Sequence, residues 1–353
     1  MIAIIAICAL LAFTLLIFYT AYAMGFKRNA YTPKTKSDPS SKMRISFSDT
    51  IKAGIDFANS APSERVYIKS DDGLRLCARF YKGNLKKLII LFHGYRSTAE
   101  HDFGNALEWY LSRGLNVLLV DQRAHSNSEG KYITFGLKER YDCKKWCEYA
   151  AEEHPEMDIY LAGISMGAAT VLMATELGLV KNVKAIVADC GYSSPEAIIE
   201  QVLKRDVHIP FAKPMMRISN AIFCKPFGHF DIYAASAVGA MKKNSTIPVL
   251  FIHGKADSFV PCEMTVENFN ACAAKKQLLM VDNANHALSY LVDMPGVQHA
   301  ISSFIGLERN SQSILFNLPV LTALKQQQKS NNKKQITAAG IPFAAICFLF
   351  KNS

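Results

Sequence analysis

Paired cysteines are missing from this chain. Its nine cysteines, Cys8, Cys77, Cys143, Cys147, Cys190, Cys224, Cys262, Cys272 and Cys347, are odd in number and fall singly, with no Cys-x-x-Cys anywhere. Zinc-finger spacing is therefore excluded, and many unpaired thiols suit a reducing compartment. Cys143 and Cys147 lie four apart on a predicted helix, a packing spacing rather than a metal-binding one. No internal repeat is present. Acidic residues are in deficit, 30 against 40 basic, giving a net charge of +10. The basic excess is scattered or gathered in the two flanks, and no basic helix is interleaved with aromatics. It reads as membrane orientation and solvated surface, not nucleic-acid binding. No charged side chain at all occurs from Ile2 to Phe26. What the chain does have is bulk: 353 residues, half of them hydrophobic, enough for one large domain or two small ones with a sizeable core.

The most informative stretch is Ile159-Tyr-Leu-Ala-Gly-Ile-Ser-Met-Gly-Ala-Ala169. An apolar run ends at Gly163, Ser165 sits between two glycines, and a helix-forming run follows. This is Gly-x-Ser-x-Gly in strand–turn–helix context, a turn so sharp that it projects a serine hydroxyl. Gly163 and Gly167 lack the β-carbons that would collide there. The first amides of the new helix, Met166 foremost, have no intrahelical partner and suit a developing oxyanion.

Partners follow in order. Strand-like Pro248–His253 runs into Gly254-Lys-Ala-Asp257, and strand-like Gln277–Val281 runs into Asp282-Asn-Ala-Asn-His286. Histidine titrates near neutrality, so His286 can take the serine proton and return it to a leaving group. Asp257 would hold the imidazole tautomer and stabilise the imidazolium, with Asp282 the alternative acid. Strand-like Lys87–Phe92 is followed by His93-Gly94-Tyr95, a turn type that supplies a second oxyanion amide, here that of Tyr95.

With these motifs the chain resembles the serine α/β-hydrolase superfamily, and within it bacterial, often membrane-tethered hydrolases of the serine-aminopeptidase-like esterase branch. The resemblance covers about residues 61–306. It also rests on Asp121-Gln-Arg-Ala-His125, Ser128-Glu-Gly130, Thr134-Phe-Gly136 and His286-Ala-Leu-Ser-Tyr290. In one place the chain departs from the pattern: Ala124 and Ser126 stand where the family's fourth-strand motif has glycines. The resemblance implies an α/β-hydrolase fold, a mostly parallel eight-stranded sheet with helices on both faces and a small helical cap after the sixth strand. The cap is expected at about 192–240, where prolines break the alternation of strands and helices. Phe211, Met215, Met216 and Phe223 there are possible pocket residues for an apolar acyl or aryl group.

The alternation itself is legible. Strands are predicted at 65–69, 75–81, 87–92, 116–120, 158–161, 184–188, 248–252 and 277–281, and helices at about 99–112 and 136–153, an α/β pattern. The uncharged run at the N-terminus is long enough to span a bilayer, which needs about 20 apolar residues. Lys27, Arg28, Lys34, Lys36, Lys42 and Arg44 follow it. The positive-inside rule then places the following domain in the cytoplasm. A cleaved signal peptide ending at Ala21-Tyr-Ala23, giving a secreted enzyme, is the alternative.

The expected layout is an anchor at 1–26, a linker at 27–60 with an amphipathic helix near 47–58 on the membrane or the domain, the hydrolase domain at 61–306, and a partly disordered tail at 307–353. The expected chemistry is hydrolysis of a carboxylic ester, thioester or amide through an acyl-enzyme. The expected partners are a small ester or acyl substrate and the lipid bilayer, with no metal, no cofactor and no nucleic acid. A serine peptidase, an acyltransferase and a non-catalytic membrane scaffold remain as alternatives.

Overall fold

A computed structural model of the chain describes residues 2–28, 39–206, 208 and 211–307. The tail expected at 307–353 lies, from residue 308 on, outside the described residues, as do 29–38 of the linker.

Eight strands form one sheet: β1 (Glu64–Lys69), β2 (Arg75–Tyr81), β3 (Lys87–Phe92), β4 (Asn116–Asp121), β5 (Asp158–Ile164), β6 (Val183–Asp189), β7 (Val249–Gly254) and β8 (Lys276–Val281). Their order is β1-β2-β4-β3-β5-β6-β7-β8. β2 pairs antiparallel with both β1 and β4, and the remaining pairs are parallel. Parallel neighbours need crossovers, and the helices that make them cover both faces, so central strands are apolar on both sides. In β3, Leu88, Ile90 and Phe92 pack into one core while Ile89 and Leu91 pack into the other. This is the α/β-hydrolase fold expected from the sequence.

One face is covered by α5 (Glu139–Glu153), α6 (Met166–Ala174), α9 (Ala237–Lys243) and α10 (Cys262–Ala271), with Trp146, Leu172 and Met241 fully buried. Cys143 and Cys147 pack in that core. The other face is covered by α3 (Ser48–Ser60), α4 (Ala99–Ser112) and α11 (Met294–Phe304). Helix α5 starts at Glu139, not at Gly136. The Glu139 carboxylate accepts from the amides of Thr134 (2.8 Å) and Gly136 (2.9 Å), which holds 134–136 as a turn with Phe135 and Gly136 at positive φ.

The linker expected at 27–60 needs correction. α3 belongs to the body of the domain: Ile51, Gly54 and Ala58 are buried, and a β-carbon on Gly54 would come within 2.7 Å of the Asn105 amide. Only with glycine there can α3 and α4 approach so closely. The short α2 (Pro39–Ser46) precedes it, and Arg44 reaches the His286 carbonyl at 3.1 Å.

Helix α1 (Ile2–Phe26) is exposed over its first turns and buried at its end. There Tyr22 and Phe26 join Leu137, Met216, Phe223 and Phe230 in a third apolar cluster. The excursion after β6 contains α7 (Pro195–Arg205), α8 (Ala212–Ser219) and a π-helical segment, Asn220–Gly228. It is shorter than the expected 192–240, because α9 already packs under the sheet with Ala237, Ala240 and Met241 buried.

Candidate active site

The site lies past the C-terminal ends of β3, β5, β6, β7 and β8. β4 and β5 flank β3 on opposite sides, so strand order reverses there, and open α/β sheets place their clefts at such points.

Between β5 and α6 the chain turns at Ser165, with φ 55° and ψ −112°. A non-glycine residue in that region is strained and persists only where its surroundings hold it. The holding contacts are tight. A β-carbon on Gly163 would fall 2.3 Å from the Gly167 carbonyl carbon, and one on Gly167 would fall 1.9 Å from the Phe92 oxygen. The Ser165 amide donates to the Asp189 carbonyl at 2.9 Å. Both glycines are thus required to seat the turn against β3.

Ser165, His286 and Asp257 come together although they stand far apart in the chain. His286 Nε2 is 3.0 Å from Ser165 Oγ, and His286 Nδ1 is 2.7 Å from Asp257 Oδ2. A carboxylate can only accept, so Nδ1 carries the proton and Nε2 is the free base facing the hydroxyl. Asp257 Oδ1 accepts from the amides of Phe259 (2.8 Å) and Val260 (2.9 Å). Burial pushes the Asp257 carboxyl up, but the His286 charge and hydrogen bonds from His253 and His286 hold it well below the usual carboxylate range. Asp282, the alternative acid, is exposed and pairs with Lys255 at 2.7 Å.

His253 was not singled out in the sequence. It is fully buried at the end of β7, with Nε2 3.1 Å from Asp257 Oδ2 and 3.0 Å from the Val260 carbonyl, and Nδ1 2.7 Å from Thr265 Oγ1. Its signal was its position four residues before the acid, on the strand that carries it. Asp102 was also missed. It accepts from the Gly94 amide (2.7 Å) and the Ser97 hydroxyl (2.6 Å). Burial raises its pKa, but the His101 ring and these donors hold the carboxyl well below its usual range.

Asp102 fixes the turn after β3. The Gly94 amide is spent on Asp102, the Arg96 amide on His125 Nε2 (3.1 Å), and the Ser97 amide on the Gly94 carbonyl (3.3 Å). Tyr95 lies between these engaged amides, and Gly94 abuts the Ser165 side chain. The Met166 amide opens α6. These are the two donors expected from the sequence. His125 is held neutral, its pKa pushed down to about 3 by burial and by His93. The turn that carries it keeps left-handed backbone at both positions where the family pattern has glycine, with φ 60° at Ala124 and 39° at Ser126.

The expected pocket residues are placed differently from one another. Phe211 is exposed, Met215 is half-buried, and Met216 and Phe223 are buried against α1. Phe223 stacks on Tyr22 at 5.6 Å between ring centroids. Helix α1 in turn reaches the site. Its Gly25 carbonyl accepts from the Tyr95 hydroxyl at 2.7 Å, and its Met24 carbonyl accepts from Arg96.

Among the described residues, one group has metal-ligand spacing: Cys190, Asp257 and His286, whose ligand atoms lie within 4.8 Å of one another. Its chemistry suits a metal poorly. Both His286 nitrogens are engaged, and burial pushes the Cys190 thiol well up, whereas only a thiolate ligates.

Comparison with known proteins agrees with this fold. Residues 83–222 match the family model described as serine aminopeptidase, S33. The Pyrococcus furiosus esterase Pf2001 superposes with a TM-score of 0.56 at 26% identity, over 70% of this chain and 93% of its own. The chain has the α/β-hydrolase fold. The chain is also similar to the uncharacterized Bacillus subtilis protein YqkD, 26% identical over 62% of this chain and 70% of YqkD. The uncharacterized Escherichia coli K12 protein YfhR is 24% identical over 64% of this chain and 73% of its own.

Proposed function

We propose that this hydrolase is a membrane-anchored serine esterase acting through an acyl-enzyme, with Ser165 as nucleophile, His286 as general base and Asp257 as its orienting acid. The observation that carries the reading is the unbroken hydrogen-bonded path from Ser165 Oγ through His286 to Asp257.

Ser165 Oγ attacks the substrate carbonyl carbon while its proton passes to His286 Nε2. The new oxyanion is stabilised by the amides of Tyr95 and Met166, each donor of this kind contributing about 10²–10³ in rate. The imidazolium lies against ionised Asp257 and gives its proton to the departing alkoxide. A water molecule, deprotonated by His286, then attacks the acyl carbon and releases the acid.

A peptidase of the kind named by the matching family model needs a carboxylate for the substrate's ammonium group. Asp102 and Asp189, buried around the nucleophile turn, are engaged by Ser97 and by Ser289 respectively. This favours an ester over an amino-terminal peptide.

The anchor reading rests on α1, an apolar helix long enough to cross a membrane. Cleavage after Ala23 would remove Tyr22, which is only 2% exposed and packs in the cap cluster. That supports an uncleaved α1, and the basic residues after it support a cytoplasmic domain. The test uses the full-length chain in detergent, with p-nitrophenyl esters of graded acyl length against aminoacyl anilides. Ester turnover is expected to dominate and to fall by several orders of magnitude in Ser165→Ala, with the fold unchanged. Anilide turnover exceeding ester turnover would move the assignment to the peptidase. Unchanged ester turnover in Ser165→Ala would remove Ser165 from the mechanism.

A further inference from the structure

We propose that the outward face of the cap, from Phe211 to Phe227, is a second membrane-contacting surface that rests in the headgroup region of the bilayer entered by α1. This builds on the reading of α1 as a membrane span.

A helix on the surface of a soluble domain turns its polar side to water. Here the outward side is apolar. Ala212, Met216, Phe223 and Cys224 face inward and are buried. Phe211 is 75% exposed and Phe227 61%, with Ile218 and Ile222 exposed between them. Phe211 leads into α8, Ile218 lies in its last turn, and Ile222 and Phe227 lie in the π-helical segment that continues it, all four side chains turned to the outside. The charged residues interspersed with them, Lys213, Arg217 and Lys225, are all basic, and no Asp or Glu occurs between Phe211 and Gly228. Lys225 pairs with Asp231 at 2.8 Å. Apolar side chains flanked by basic ones are what an interfacial segment presents to anionic lipid.

Depth favours the bilayer as occupant. α1 has 25 residues, about 37 Å at ~1.5 Å each, against a hydrocarbon core of ~30 Å. Its last turns, with Tyr19 and Tyr22, therefore lie at headgroup level, where aromatic belts form. The cap is packed at that level: the Phe223 ring is 5.9 Å from Tyr19 and 5.6 Å from Tyr22. The exposed face is thus contiguous with the end of the span.

The experiment reconstitutes the full-length protein into vesicles of phosphatidylcholine with a minority of phosphatidylglycerol. The lipids are brominated near the headgroup end of the acyl chain. Phe211→Trp and Phe227→Trp report on the cap, Phe13→Trp on the span and Tyr67→Trp on an exposed strand, with the emission of Trp109 and Trp146 subtracted from the parent. Both cap tryptophans should lose most of their added emission to brominated lipid and be shielded from aqueous iodide, whereas Tyr67→Trp should behave in the reverse way. Cap tryptophans open to iodide and untouched by bromine would overturn the proposal. Shielding from both quenchers would overturn it equally, since a second copy or residues 308–353 would then cover the face. Phe13→Trp, at mid-span, separates the two readings in a second set of vesicles brominated near the end of the acyl chain: its escape from that bromine would sink the span itself, whatever the cap shows.

Discussion

Asp189 and Asp257 stand at the ends of neighbouring strands, both with buried carboxyls, and their titrations are pushed in opposite directions. Asp257, past β7, accepts from two main-chain amides and two imidazoles, and its carboxyl stays well below the usual range. Asp189, at the end of β6, accepts at its side chain from the Ser289 hydroxyl at 2.9 Å, and burial pushes it from 3.8 up to about 7. Burial is common to both. Donors aimed at the charged form decide which carboxyl keeps its charge. A residue meant to stabilise an imidazolium needs the first environment, and a residue that only closes a strand tolerates the second.

The comparison is broken most severely at Asp257. Asp257→Asn keeps the shape but reverses a donor and an acceptor, so turnover should fall by about 10⁴-fold with the thermal transition little changed. Asp282→Asn, at the exposed Lys255 pair, should be mild, and the opposite ranking would move the acid to Asp282.

Asp189→Asn tests the other side. Between the ordinary carboxylate range and about pH 7 the folded protein keeps a proton that the unfolded chain has lost. The stability contributed by Asp189 is therefore lost as pH rises through that window and no further above it. At about 1.4 kcal/mol per pH unit the loss is about 4 kcal/mol at most. In urea unfolding measured from about pH 4 to pH 8, the stability of Asp189→Asn relative to the parent should rise with pH up to about pH 7 and then level off. An equal slope in both proteins would mean that Asp189 ionises normally.

His253→Leu sharpens the comparison by removing one donor from Asp257. A charge-assisted hydrogen bond is worth about 1.5–3 kcal/mol, and with the other donors kept, a loss of about tenfold in kcat at unchanged KM is expected. A change in KM alone would make His253 a packing residue.

Much of this site can be read from local sequence, for a physical reason. A strand whose two faces are both buried must be apolar throughout, so β3 through β7 announce themselves, and the residues just past them are the ones that reach a common cleft. Gly163, Ser165 and Gly167 are legible because the turn admits no other residues at the flanks. His253 and Asp102 act on residues several positions away through side-chain geometry, which spacing alone does not reveal. The docking of α1 was hidden for a different reason. Tyr22 and Phe26 read as ordinary aromatic-belt residues, yet they pack against Phe223 and Phe230, some two hundred positions on. For the same reason α3 read as part of a linker: Gly54 carries no signal of its partner on α4. Left-handed backbone at Ala124 and Ser126 shows that the turn survives loss of its glycines, at a conformational cost of about 1–2 kcal/mol per residue.

The account stands or falls on whether Ser165 is the activated nucleophile. The direct measurement is intact-protein mass spectrometry after exposure of the full-length chain to a fluorophosphonate, followed by peptide mapping. The account predicts a single phosphonyl adduct on the peptide carrying Ser165, formed rapidly in the parent, slowly in Asp257→Asn and not at all in Ser165→Ala. No adduct on the folded protein, or an adduct that maps elsewhere and persists in Ser165→Ala, would contradict it.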